Sequence, residues 1–143
     1  MLRFLAKVAG VALAFALISG PAAQATDTNK KHHVIFHVTD SDPVKWNQAL
    51  NNAGNLQKAL GKENVEIEIV ANGPGLDMMK FESSVGNRMK DAIGAGVSVL
   101  ACGATMKGAN LTEKDLFPGV KVVPGGVVQI MNRQEARWTY IKI

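Results

Sequence analysis

Five short runs of β-branched and apolar residues, separated by stretches with helical periodicity, constrain this chain more than anything else in its sequence. The runs lie at 33–39, 65–71, 97–101, 120–123 and 138–143. The first is almost continuously apolar or aromatic, as in a strand buried on both faces. The second alternates, with Val65, Ile67 and Ile69 on one side and Glu66, Glu68 and Val70 on the other. That alternation places it nearer a sheet edge. Between these two runs, Asp42-Pro43 supplies an N-cap and a first-turn proline. Trp46, Ala49, Leu50, Ala53, Leu56 and Leu60 then recur at three- and four-residue steps as far as Gly61, forming one apolar helical face. A second helix is expected over 82–93, with Val85, Met89, Ala92 and Ile93 inward, and another from Gly125-Gly126 to about 135. A short helical piece follows Cys102, and Thr112-Glu113-Lys114-Asp115 has the form of a capping box. Strands alternating with helices predict a three-layer α/β/α sandwich with a mainly parallel five-stranded sheet and right-handed crossovers.

The N-terminal residues carry a different pattern. Arg3 and Lys7 precede an unbroken apolar run at 8–18, Ser19-Gly20-Pro21 interrupts it, and Ala23-Gln24-Ala25 puts small residues where a signal peptidase reads. The run is well short of the ~20 residues that span a bilayer. Residues 1–25 are therefore expected to be a cleaved signal peptide, and 26–143 a single periplasmic domain with no stable membrane anchor. No cysteine follows the run to carry a lipid. Loss of Arg3 and Lys7 reduces 16 basic residues to 14, against 12 acidic ones. A mature net charge of +2 gives no support to nucleic-acid binding. The single cysteine excludes an intrachain disulfide framework and a Cys-rich zinc site.

In a sheet of this kind, ligands and chemistry collect at the carboxyl ends of the strands. The residues expected there are Thr39, Asp40, Ser41 and Asp42; Asn72, Gly73, Pro74 and Gly75; Cys102, Gly103, Ala104 and Thr105; and Pro124, Gly125 and Gly126. Cys102 is the chemically distinctive member. At the turn from an apolar strand into a helix, backbone N–H groups and the helix dipole favour an anion, so its thiol should ionise more easily than a free one. Gly103 and Ala104 leave the sulfur sterically open. His37 or Asp40 would border the pocket and tune the thiol, with Asn72, Gly73, Gly75, Gly103 and Thr105 forming its walls. The bland alternative is a buried, inert cysteine acting as a small hydrophobe.

Other clusters are weaker. His33 and His37 share a strand face but lie ~13 Å apart, and His32 points the other way, so they do not chelate one ion unaided. Cys102 and Met106, four apart, could form a soft Cu(I) site with Met78 and Met79 nearby. The plainer role of these methionines is to fill the core. Asn47, Asn51 and Asn55 form an amide stripe suited to an interface or a pocket wall as well as to an exposed face. Asn72-Gly73-Pro74-Gly75 lacks the spacing of a phosphate-binding loop. No motif calls for a cofactor.

Several segments in order resemble one known family. Residues 96–106 (Gly-Val-Ser-Val-Leu-Ala-Cys-Gly-Ala-Thr-Met) resemble the cysteine strand-turn of the DsrE/DsrF-like sulfur-relay proteins, which share the YchN-like fold. His37-Val38-Thr39-Asp40, Trp46-Asn47 and residues 51–56 are similar to that family's first strand and helix. Residues 70–76 are similar to its second-strand loop, and 123–127 with 134–141 to its C-terminal helix and strand. The resemblance implies the same three-layer fold assembled as trimers or hexamers. It also implies sulfur transfer through a persulfide at Cys102, with donor and acceptor proteins as partners. If the chain is active, it is a sulfur-transfer protein. Two departures stand out. The characterised relay members are cytoplasmic, whereas this chain begins with an export pattern, and Arg137 stands where exported members often carry glycine. Two other functions remain open: a non-catalytic binding module for a small ligand or soft metal, and a structural oligomer with an inert cysteine. A relay requires a thiol that is both accessible and low in pKa.

Overall fold

A computed structural model describes residues 31–143, so the expected signal peptide lies outside the described residues. The strands are β1 (His32–Val38), β2 (Val65–Ala71), β3 (Ser98–Cys102), β4 (Lys121–Val123) and β5 (Thr139–Lys142). The helices are α1 (Pro43–Leu60), α2 (Gly86–Gly94), α3 (Gly103–Gly108) and α4 (Gly126–Glu135). Short 3-10 segments occupy Lys62–Asn64, Gly73–Met79 and Glu113–Asp115. All neighbouring strands pair in parallel, in the order β4-β3-β2-β1-β5. The architecture is the expected three-layer sandwich.

Local chemistry sets the boundaries. Asp42 caps α1, its carboxylate accepting from the Val44 amide at 2.9 Å, with Pro43 in the first turn. Thr112 and Asp115 form the reciprocal capping box that opens the last 3-10 segment. The second helix begins at Gly86, later than the expected position 82. Before it, the chain runs through turns that place the Phe81 amide on the Asp115 carbonyl. The loop expected at 72–75 is instead the start of a 3-10 turn, entered through Gly73 at φ 53°.

The two faces of the sheet are covered unequally. On one face, Val34, Phe36, Val38, Ile67, Ile69, Val99 and Ala101 pack against Trp46, Ala49, Leu50 and Ala53 of α1, Met89 of α2 and Met106 of α3. On the other, Ile35, Val70 and Leu100 form a smaller cluster with Ile130 of α4 and Trp138, against which Val123 packs. This asymmetry follows from the connections. The first three crossovers move in one direction across the sheet and the last, through α4, returns the other way, so right-handedness sends α4 to the opposite face.

The position of β2 differs from expectation. It is the central strand, not one near an edge. Glu68 produced the misleading alternation, yet it is only 4% exposed. It lies on the α4 face, where Gln129 donates to Oε2 at 2.8 Å and Arg133 donates through Nε to Oε1 at 2.9 Å. A carboxylate paired and hydrogen-bonded in this way is tolerated in a sheet interior.

Candidate functional site

Cys102 ends β3 and immediately precedes α3. Strand alternation turns its side chain away from Ala101, towards the α4 face. There the Gly126 amide, at the first residue of α4, donates to Sγ at 3.1 Å. The chain leaves β3 to one side of the sheet and leaves β4 to the other. Cys102 and Gly126 therefore meet at the point where adjacent connections diverge, the place in such sheets where binding sites form.

Gly126 is closely packed. A Cβ there would lie 3.2 Å from the Cys102 Cβ and 3.4 Å from both the Asn72 Cβ and Val70 Cγ2. The sulfur is consequently not open, as Gly103 and Ala104 had suggested. Cys102 is 5% exposed, because α4 closes over it from a strand that sequence reading did not bring there. Beside this cover lies a groove of about 440 Å³ lined by Ala104, Pro124, Gly125, Val128, Gln129 and Asn132.

The thiol is nonetheless easier to ionise than an ordinary one. Burial raises its pKa, but hydrogen bonding from the Thr105 side chain and from the Gly126, Thr105 and Ala104 amides outweighs it and lowers the pKa overall. Gly126 supplies the bond with full geometry; α3 makes no capping bond to the sulfur. The Ala104 amide is already engaged by the Pro124 carbonyl at 3.1 Å. Thr105 Oγ1 accepts from the Gly73 amide at 3.1 Å, leaving its own proton free to turn towards the sulfur. The stabilising helix start is thus mainly that of α4, and only weakly that of the six-residue α3.

The other expected residues fall into three groups. Asn72, Gly73, Gly103 and Thr105 surround the cysteine turn, Gly103 with its Cα facing the Val123 carbonyl. Gly75 is a packing contact: a Cβ there would come within 2.4 Å of the Val38 carbonyl oxygen. His37 and Asp40 are held by partners other than the sulfur. His37 Nε2 donates to Asn72 Oδ1 at 2.9 Å, and Nδ1 accepts from the Tyr140 hydroxyl at 2.9 Å. These bonds suit the neutral ring. Burial lowers its pKa, the Asn72 bond acts in the opposite sense, and Lys142 lowers it further. Asp40 pairs with Lys45 at 2.9 Å and stands 3.9 Å from Lys142. Hydrogen bonding to Lys45 holds its carboxyl below the usual range. His37 therefore reaches the cysteine's surroundings only through Asn72.

Met106 belongs to the core on the α1 face, and Met78 and Met79 are fully buried there. The cysteine side chain points to the other face. Among the described residues, no cluster of three or more His, Cys, Asp or Glu side chains is arranged to hold a metal ion. Asn47 and Asn51 accept from Arg88 of α2, so part of the amide stripe clamps two helices together. Tyr140 and Lys142 were not expected at this site; only the fold brings the last strand beside β1. Gly126 had been placed at a strand end, but nothing in its local sequence indicated that it meets the sulfur.

Comparison with known proteins agrees with the fold. The DsrE/DsrF-like family pattern matches residues 33–143. The structure of MTH1491, a protein of unknown function from Methanobacterium thermoautotrophicum, is similar at 32% identity and a TM-score of 0.75, covering 79% of this chain and 100% of that one. YchN of E. coli shares the fold at 12% identity and a TM-score of 0.64, covering 80% of this chain and 99% of its own. BT1422 of Bacteroides thetaiotaomicron, at 14% identity and a TM-score of 0.58, covers 78% and 94%. No curated protein matches. With the family pattern spanning all five strands and the cysteine turn, the chain belongs to the DsrE/DsrF-like family.

Proposed function

We propose that this protein is an exported sulfane-sulfur carrier in which Cys102 holds the transferred sulfur as a persulfide. The observation that carries the reading is the Gly126 amide bonded to a thiol of lowered pKa at the divergence of two strand connections. In the loading step, the Cys102 thiolate attacks the outer sulfur of a donor persulfide or polysulfide. A new S–S bond forms at Sγ, the donor's S–S bond breaks, and the donor leaves as a thiolate. No external oxidant or reductant is consumed. The groove beside Ala104 and Gly125 offers an approach, and displacement of the Pro124-Gly125-Gly126 turn would uncover the sulfur.

The experiment is intact-mass measurement of the folded protein after incubation with polysulfide, with and without reductant, alongside Cys102→Ser. One or more added sulfur atoms, removed by reductant and absent from the variant, is the expected result. An unchanged mass with an intact thiol overturns the carrier reading. It would favour the second reading, an inert structural cysteine, to which the low exposure of Cys102 lends support.

We also propose a homo-oligomer, a trimer or hexamer, assembled through the outer side of α4. Val127 and Met131, one turn apart and outside the groove, are exposed there, and apolar side chains so grouped suit a subunit contact. Light scattering coupled to size exclusion tests this; a monomer overturns it.

A further inference from the structure

Helix α4 has little apolar material with which to fix its position. Ile130 is its buried large side chain, while Val127, Val128 and Met131 face outward. What ties it to the sheet is polar. Glu68, 4% exposed at the centre of β2, accepts from Gln129 and Arg133, and the Arg133 guanidinium carbon also lies 4.5 Å from the centre of the Trp138 ring. Gly126, Gln129 and Arg133 stand at i, i+3 and i+7, along one side of the helix. The end that touches Cys102 is closely packed: a Cβ at Gly126 would lie 3.2 Å from the Cys102 Cβ. A small slide or rotation of α4 would carry the Gly126 amide off the sulfur.

We infer that Glu68, Gln129 and Arg133 are positioning residues for the thiol: by fixing the register of α4 on the sheet, they hold the Gly126 amide against Cys102 Sγ. The inference rests on the reading of Cys102 as a working thiol and deepens it. The other titratable groups assigned by strand register to this sheet face are His33, His37, Glu66, Lys121, Tyr140 and Lys142. All are retained in the test variants.

The test is the pH midpoint of Cys102 alkylation in the full folded chain, for Glu68→Gln, Arg133→Gln, the double variant and Gln129→Met, with melting temperature followed in parallel. Loss of one hydrogen bond to a thiolate should raise the midpoint by roughly one pH unit. Positioning predicts a rise in both single variants and in the double, with partial recovery in Arg133→Lys. Charge alone predicts opposite shifts in Glu68→Gln and Arg133→Gln that cancel in the double, and that result would overturn the inference. Unchanged midpoints with a lowered melting temperature would overturn it too, leaving the cluster purely structural. If Glu68→Gln does not fold, Gln129→Met and Arg133→Lys carry the same readout, because both keep the charge pair. Failure of Cys102 to accept sulfur would leave the midpoint shifts intact, and unchanged midpoints would leave sulfur loading intact, so the two ideas fail separately.

Discussion

The Gly126 amide and the Cys102 sulfur, 24 residues apart in sequence, meet at 3.1 Å. One residue ends the β3 strand and the other begins the helix after β4. The contact covers the sulfur and, together with the Thr105 side chain, lowers its pKa, so access and reactivity share one short turn.

Gly126→Ala separates these effects. The new Cβ would press on Cys102, Asn72 and Val70 at 3.2–3.4 Å. The start of α4 must retreat, at a stability cost of about 1–3 kcal/mol. The alkylation midpoint of Cys102 should rise, while its limiting rate at high pH increases as the cover loosens. A midpoint equal to that of the parent protein would show that the amide does not set the thiol's acidity.

His37 makes stability depend on pH. Its folded pKa lies below the ordinary 6.5, principally through burial. Native His37 thus binds fewer protons than the unfolded chain, and stability rises with pH in this range. The contribution is complete above the unfolded value of about 6.5 and is lost as pH falls below it towards the folded pKa. Melting temperature should decline as pH falls below about 6.5, and His37→Gln should flatten that decline. An identical slope in the variant would assign it to other groups.

Gly75→Ala tests packing near the site. Its Cβ would stand 2.4 Å from the Val38 carbonyl oxygen and 2.7 Å from the carbonyl carbon, both backbone atoms of the sheet. With no flexible side chain to give way, the loss should be about 3 kcal/mol in chemical denaturation. A loss below about 1 kcal/mol would mean that the Asn72–Gly75 turn adjusts freely.

Arg137 occupies left-handed backbone at φ 63°, just after α4. That conformation costs a non-glycine residue about 1 kcal/mol. Arg137→Gly should therefore stabilise the protein by up to about 1 kcal/mol, measured as an upward shift in denaturation midpoint. A net loss would indicate that the arginine side chain contributes more than its backbone conformation costs.

The export proposal gives a mass. Protein recovered from a bacterial periplasmic fraction should begin at Thr26, shortened by the 25 preceding residues. Recovery of the unprocessed chain from the cytoplasm would overturn it.

Much of the framework was legible because it depends on neighbours in sequence. Asp42 and Pro43 announce α1, and Thr112 and Asp115 announce their capping box, through contacts within a few residues. Cys102 could be placed at a strand end for the same reason. The position of β2 could not, because Glu68 reads as an edge residue until Arg133, 65 positions away, neutralises it. The covering of the sulfur was equally hidden: Gly103 and Ala104 are small, but the obstruction arrives from α4. Asp40 looked available to the thiol, yet Lys45 and Lys142 occupy its carboxylate.

His37 is joined to Tyr140 across 103 residues, and the strand carrying Tyr140 is the last to be made. Synthesis delivers the chain from its N-terminus. Cys102 therefore exists before Gly126 is present to cover it, and before β5 is present to pair with β1. Until the last part of the chain has folded into place, this cysteine lacks both its cover and the amide that helps to lower its pKa.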